Sequence, residues 1–133
     1  MSQRAQRGSA TVQAVLVTPA LLLILMLIVQ FGLAAHARSV AQNAAQMGAA
    51  QARRFDGSAA AARAATTSYL HDLGPTIVAD PAVSASRTAT TATVVVTGSV
   101  ISVVPFLHLP IRETAAGPVE RYVPPSDEFT GQP

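Results

Sequence analysis

RGSATVQAVLVTPALLLILMLIVQFGLAAHAR, residues 7–38, contains no residue charged at neutral pH between its two terminal arginines. From Ala14 to Val29 the only polar side chain is Thr18. Extension to Ala35 gives about 22 residues, or roughly 33 Å of helix, enough to cross a hydrocarbon core of about 30 Å. A core helix of a soluble domain more often holds about 10–14 apolar residues. The stretch therefore predicts a transmembrane helix, and the rest of the chain is read outward from it.

Arg4, Arg7 and the amino terminus precede the span, whereas only Arg38 follows it closely. The positive-inside bias then places the N-terminus in the cytoplasm and the remainder outside. Three fates are open to such a segment: a signal peptide that is removed, a permanent single-pass anchor, and a leader whose apolar helix survives processing. Ala35-His36-Ala37 supplies the A-x-A of a signal peptidase site, so a secreted small domain cut after Ala37 is one alternative, although the apolar run is long for a signal peptide. An uncleaved single-pass adaptor of a secretion complex is another.

Beyond the span, Ala34–Arg54 lacks proline and is rich in alanine and glutamine, which continues the helix outward as a stalk, about 40 residues in all. Ala44, Gly48 and Ala52 lie four apart and form a stripe of small side chains that another helix can approach closely. In an alanine-rich segment the same spacing also arises from composition. Phe55-Asp56-Gly57-Ser58 interrupts the helix, and Ser58 is placed to cap a second helix from Ala59 to about Leu73, ended by Gly74-Pro75. Ala62, Ala65, Tyr69 and Leu73 share one face of it, widened by Leu70, a pattern suited to lying on a sheet.

From Thr76 the vocabulary changes to Val, Ile, Thr and Pro. Ala92, Val94, Val96, Val100 and Val104 share one parity, predicting a long strand over 90–104 with one apolar face and a bulge or bend at Gly98. Shorter strands are expected over 83–88 and over 111–122, the latter broken near Gly117-Pro118. The fold class is thus α+β: a long N-terminal transmembrane and stalk helix, a second short helix, and a small antiparallel sheet outside the membrane. The domains follow as a basic leader over 1–8, the transmembrane and stalk helix over 9–55, an extracytoplasmic α+β domain over 56–123, and a disordered tail over 124–133.

Composition narrows the function. All nine basic residues are arginine and only Arg53-Arg54 are adjacent, so the net charge of +2 forms no stripe for a nucleic-acid partner. The chain has no cysteine, which removes thiolate metal sites and cysteine nucleophiles. His36, His71 and His108 are too dispersed for a metal-ligand spacing, His71-Asp72 is adjacency and not a triad, and no phosphate-cradling glycine loop occurs. No catalytic residue, cofactor, metal or small-molecule substrate is expected. The external part is poor in large core residues and is expected to pack on partners.

One constellation stands at the start of the span: a short basic tail, Gly8, Ser9, then an apolar helix whose fifth residue after Gly8 is Gln13. That is the layout of a pilin leader. The run over residues 7–33 resembles the N-terminal signature of the TadE-like family, pseudopilins of the tight-adherence (Flp) pilus machinery, and HARSVAQNAAQMGAAQAR, residues 36–53, resembles the stalk of actinobacterial members. Val103-Val104-Pro105 and Gly117-Pro118-Val119-Glu120-Arg121-Tyr122 are similar to the family's strand exit and closing segment. The resemblance implies a minor pilin or pilus-assembly component, cut between Gly8 and Ser9 by a prepilin peptidase. Its implied partners are other pilin-like subunits, the assembly platform and membrane lipid, and it implies a protein held in the cell membrane or assembled into an extracellular pilus. Family members generally carry Glu where this chain has Gln13, and often where it has Gln30, so the charge pairing proposed for pilin assembly is not available through Gln13. Gln13, Gln30, Ala44, Gly48 and Ala52 are the candidate helix-packing residues.

Overall fold

The computed structural model describes residues 3–73 and 75–124, with side chains from Ala10 onward. Helix α1 runs from Gln3 to Arg53, 51 residues or roughly 77 Å, longer than the 40 expected from the sequence. Pro19 lies within it; the hydrogen bond it removes is a tolerable loss in a helix otherwise built from leucine, isoleucine, alanine and valine. After α1 the chain reverses at Gly57, whose amide donates to Arg54 O at 2.9 Å. A Cβ there would lie 2.3 Å from Gln51 O and 2.8 Å from Ala52 O, so the turn is closed to any other residue.

Helix α2 spans Ala59–Leu73 and is capped as the sequence predicts, with the Ala61 amide donating to Ser58 Oγ at 3.0 Å. Its orientation differs from the expectation. The buried residues are Ala62, Thr66 and Leu70, while Leu73 is exposed. The helix lies chiefly on α1 and only secondarily on the sheet, which turns its small residues, and not its C-terminal leucine, inward.

The sheet is a three-stranded antiparallel meander in the order β1-β2-β3, with β1 at Val78–Arg87, β2 at Thr91–Val100 and β3 at Pro110–Pro118. The parity read from the sequence holds: Ala92, Val94, Val96 and Val100 are buried on the face toward the helices. All three strand boundaries move. β1 begins five residues before the expected Val83, because Val78 pairs with Val100 and a bulge between Ala79 and Ala82 lets Pro81 sit in the strand without disturbing the ladder. Gly98 does mark the bulge, but the extra residue is on β1: Asp80, at φ 48, and Pro81 stand opposite Gly98, which pairs with Ile111 on its other side. Gly98 is glycine because the bulged strand presses on it: a Cβ would meet Val78 Cγ1 at 2.8 Å and Ala79 O at 3.0 Å.

β2 stops at Val100, not Val104: the Ile101 amide donates to Ile77 O at 3.4 Å, and the Val103 and Val104 amides are taken by the Gln30 side chain on α1. β3 stops at Pro118, after which the Glu120 amide donates to Arg53 O at 2.8 Å and ties the chain to the end of α1. Of the tail expected to be disordered, Pro124 has no regular structure and the residues after it lie outside the described part.

The core is asymmetric in side-chain size. Helix α1 contributes Ala34, Ala37, Val40, Ala41, Ala44, Ala45, Ala49 and Ala52, and the other elements contribute the bulk through Leu70, Val94, Val96, Val100 and Ile111. Alanine on the helix lets the backbone of α1 lie close to the valine face of β2. The small amount of bulky apolar surface inferred from composition is thus concentrated on one side of one interface.

Candidate functional site: one helix in two environments

The two halves of α1 meet different surroundings. From Ala10 to Leu25 every residue is exposed, including Val12, Leu16, Leu21, Leu22, Leu23 and Leu25, so no other described part of the chain covers this half. Burial begins with Met26 and Leu27, half-buried, and continues through Gln30, Ala34, Ala37, Val40 and Ala41 to Ala52. An apolar surface of this size left uncovered marks a contact with lipid or protein.

The small-residue stripe lies in the covered half. Ala44 and Ala52 are fully buried, and Gly48 sits where α2 crosses. A Cβ on Gly48 would come within 2.0 Å of Thr66 Oγ1 and 3.1 Å of Ala62 O. Thr66 is itself buried, its hydroxyl donating to Ala62 O at 2.8 Å. The helix that approaches Gly48 is therefore α2 of the same chain. The spacing was legible in the sequence, and its occupant was not.

Gln30 is likewise covered by its own chain. It is 0% exposed and clasps the segment between β2 and β3: Nε2 donates to Ile101 O at 3.2 Å, while Oε1 accepts from the Val103 amide at 2.6 Å and the Val104 amide at 3.3 Å. A buried amide side chain with both ends satisfied by backbone holds a loop in one conformation. Within that loop the Ser102 hydroxyl lies 2.5 Å from Val104 O and 2.6 Å from Leu107 O. Phe106 adopts φ 67 with its ring 98% exposed, a left-handed conformation that costs an aromatic residue about 1–3 kcal/mol.

Arg87, at the end of β1, is a third tether that the sequence reading did not single out. Its guanidinium donates to Gly57 O, to Arg54 O at 3.0 Å and to Phe55 O at 3.4 Å. Those carbonyls belong to the end of α1 and the turn after it, where orphan acceptors and the helix dipole favour a cation. The signal available in sequence was only its isolation, since no other charged residue stands between Asp80 and Arg112.

Of the remaining candidates, Gly8 and Ser9 lie in the helical backbone of α1, and Gln13 is on its exposed surface. His36, His71 and His108 fall on α1, α2 and the β2–β3 loop respectively. Nδ1 of His71 is 3.5 Å from Asp72 Oδ1, with both side chains largely exposed. An open cleft of about 480 Å³ between α2 and β1 is lined by Arg63, His71, Asp80 and Val83 among others. No group of His, Asp and Glu suited to holding a metal ion occurs among the described residues.

A long helix, uncovered and apolar at its N-terminal half and carrying a small α+β unit on the other, is consistent with a single-pass membrane anchor. The TadE-like protein family model matches residues 8–50, from the glycine before the apolar run to the last turn of α1, and so supports the resemblance read from those residues. The match does not reach Val103-Val104-Pro105 or the 117–122 segment. No curated protein and no solved structure gives a significant match to the chain.

Proposed function

We propose that this chain is a pseudopilin-type component of a tight-adherence pilus, working by helix packing and without catalysis of its own. The observation that carries this reading is that the TadE-like match coincides with an apolar helical surface which the rest of the chain leaves uncovered. In this reading the leader through Gly8 is cytoplasmic and is removed by a prepilin peptidase. The new terminus at Ser9 then lies at the membrane edge, and the exposed half of α1 packs first on lipid and then on the helices of other pilin-like subunits at the assembly platform. Gln13, one turn into the mature helix, offers an amide acceptor to a neighbour's ammonium, a hydrogen bond of about 0.5–1.5 kcal/mol where a carboxylate gives about 1.5–3. The α+β unit, outside the membrane, is carried on the stalk.

The unbroken helix through Ala35-His36-Ala37, with Ala37 fully buried, argues against removal of everything before Arg38. The test is the intact mass and N-terminal residue of the protein recovered from membranes of its native host. A chain beginning at Ser9 supports the pilin reading, and Gly8→Leu should then accumulate unprocessed. A chain retaining Met1 or Ser2 would make it an uncleaved membrane-anchored adaptor instead, and one beginning at Arg38 would make it a secreted domain.

A further inference from the structure

We propose that the β2–β3 loop, residues 101–109, is a second membrane contact: an apolar wedge seated in the phospholipid interface beside the transmembrane segment, with Phe106 at its tip. The proposal rests on the reading of α1 as a membrane span.

Position along the helix carries the argument. The structure moves the span toward the N-terminus from the 14–35 read in the sequence, because burial by the rest of the chain starts at Met26 and is complete at Gln30. The uncharged helix from Ala10 to Val29 is about 30 Å long, the thickness of a hydrocarbon core, and Gln30 is the next residue. Gln30 is also the residue that clasps the loop at Ile101, Val103 and Val104. The loop is therefore held at the boundary of the hydrocarbon, about 12 Å short of Arg38, the first charged residue after the span. Met26 and Leu27, a turn deeper, already lose part of their exposure.

The loop's composition fits that depth. No charged residue occurs anywhere between Arg87 and Arg112, and within the loop Ile101, Val103 and Phe106 turn apolar surface outward. A phenylalanine with 98% of its surface exposed is poorly suited to water and suited to burial at the headgroup–acyl boundary, where Trp, Phe and Leu form the apolar face of interfacial segments.

Irregular backbone is admitted near hydrocarbon only where its polar groups are satisfied from within the protein. Here Gln30 takes the amides of Val103 and Val104 and the carbonyl of Ile101. The Ser102 hydroxyl lies within reach of the carbonyls of Val104 and Leu107 and donates its one proton to either, and the Leu107 amide donates to Val104 O at 3.3 Å. The Val100 amide donates to Leu109 O at 2.9 Å and closes the loop at its base. Gln30 and Ser102 thus lower the polar backbone cost of seating this loop in the interface, where the groups still facing outward, with the exposed Ser102 and His108 side chains, meet headgroups and water.

The chain contains no tryptophan, so a single introduced indole reports its own surroundings. The full chain carrying Phe106→Trp is reconstituted at low protein-to-lipid ratio into phosphatidylcholine vesicles, plain or brominated at the acyl 6,7 positions. Leu22→Trp, in the exposed apolar half, reports the span, and Ala89→Trp, in the β1–β2 turn at the distal end, reports water. Val103→Trp serves as a second loop reporter should Phe106→Trp not fold. Bromination should reduce F106W emission about twofold or more, as it does for L22W, and leave A89W unchanged, with F106W blue-shifted relative to A89W. F106W behaving like A89W while L22W is quenched would overturn the wedge and leave the span intact. A blue-shifted but unquenched F106W would also overturn it, showing the loop to be covered by protein, such as a second copy of the chain. L22W unquenched would overturn the membrane reading on which the wedge rests.

Discussion

Gly48→Ala tests the contact that joins the two helices. The new Cβ would lie 2.0 Å from Thr66 Oγ1, 3.1 Å from Ala62 O and 3.4 Å from Thr66 Cβ. The first distance is impossible, the second needs a shift of a few tenths of an ångström, and the third is ordinary contact. Relief comes from rotating Thr66 or from separating the helices. Rotation takes the hydroxyl off Ala62 O, a buried bond of 2.8 Å, and leaves a polar group unsatisfied at about 1–3 kcal/mol. Separation opens the alanine contacts along the stripe at similar cost. Against this, alanine gains about 1 kcal/mol over glycine in a helix interior. The net expectation is destabilisation by about 0–2 kcal/mol. In a Thr66→Ala background the clashing oxygen is gone, the propensity gain reappears, and the same substitution should become neutral or stabilising by up to about 1 kcal/mol. The coupling in the double-mutant cycle is therefore about 2 kcal/mol. Hydrogen exchange of the α2 amides in the full chain, in detergent micelles, reads all four corners of the cycle. Stabilisation by Gly48→Ala alone, or coupling below about 0.5 kcal/mol, would refute the close crossing of α1 and α2 at this point.

Gln30→Leu should leave the amides of Val103 and Val104 without an acceptor and loosen the β2–β3 loop by about 2–4 kcal/mol, seen as faster exchange at those two amides with the β1–β2 pairing unchanged. Gln30→Glu keeps the acceptor and loses the donor to Ile101 O, so it should fall between the two. Arg87→Met removes the donors to the end of α1 and should cost about 1–3 kcal/mol, read as faster tryptic cutting after Arg54. Arg87→Lys should rescue it poorly, since an ammonium cannot span three carbonyls as a guanidinium does. Ser58→Ala should destabilise α2 by about 1 kcal/mol and lower the unfolding midpoint of the α+β unit, whereas Ser58→Asp should hold it.

The parts that were readable ahead of the structure share a property: each depends on residues close in sequence. Hydropathy over 14–35, the Ser58 cap and the alternation of Ala92, Val94 and Val96 are local patterns with local causes. The strand ends were misplaced for the complementary reason. Val103 and Val104, expected in β2, lie outside it with their amides taken by Gln30, 73 and 74 residues away. β1 starts early because a bulge absorbs Pro81, which in isolation signals the end of a strand. Gly98 was noticed correctly as special and explained by its own strand, when the cause lay on the neighbouring one.

Length, hydropathy and a pattern at the apolar boundary need no partner to be read, so one helix long and apolar enough to cross a membrane, a small α+β unit after it and a resemblance to the TadE-like family over residues 8–50 were all legible in the sequence. Only the tertiary structure decided what the polar and small residues of that helix are for. Gly48 is a saddle for α2, Gln30 a clasp on the β2–β3 loop, and the carbonyls at the helix end a seat for Arg87. Periodicity tells which face of a helix will be covered, but the covering group is selected by where the rest of the chain returns.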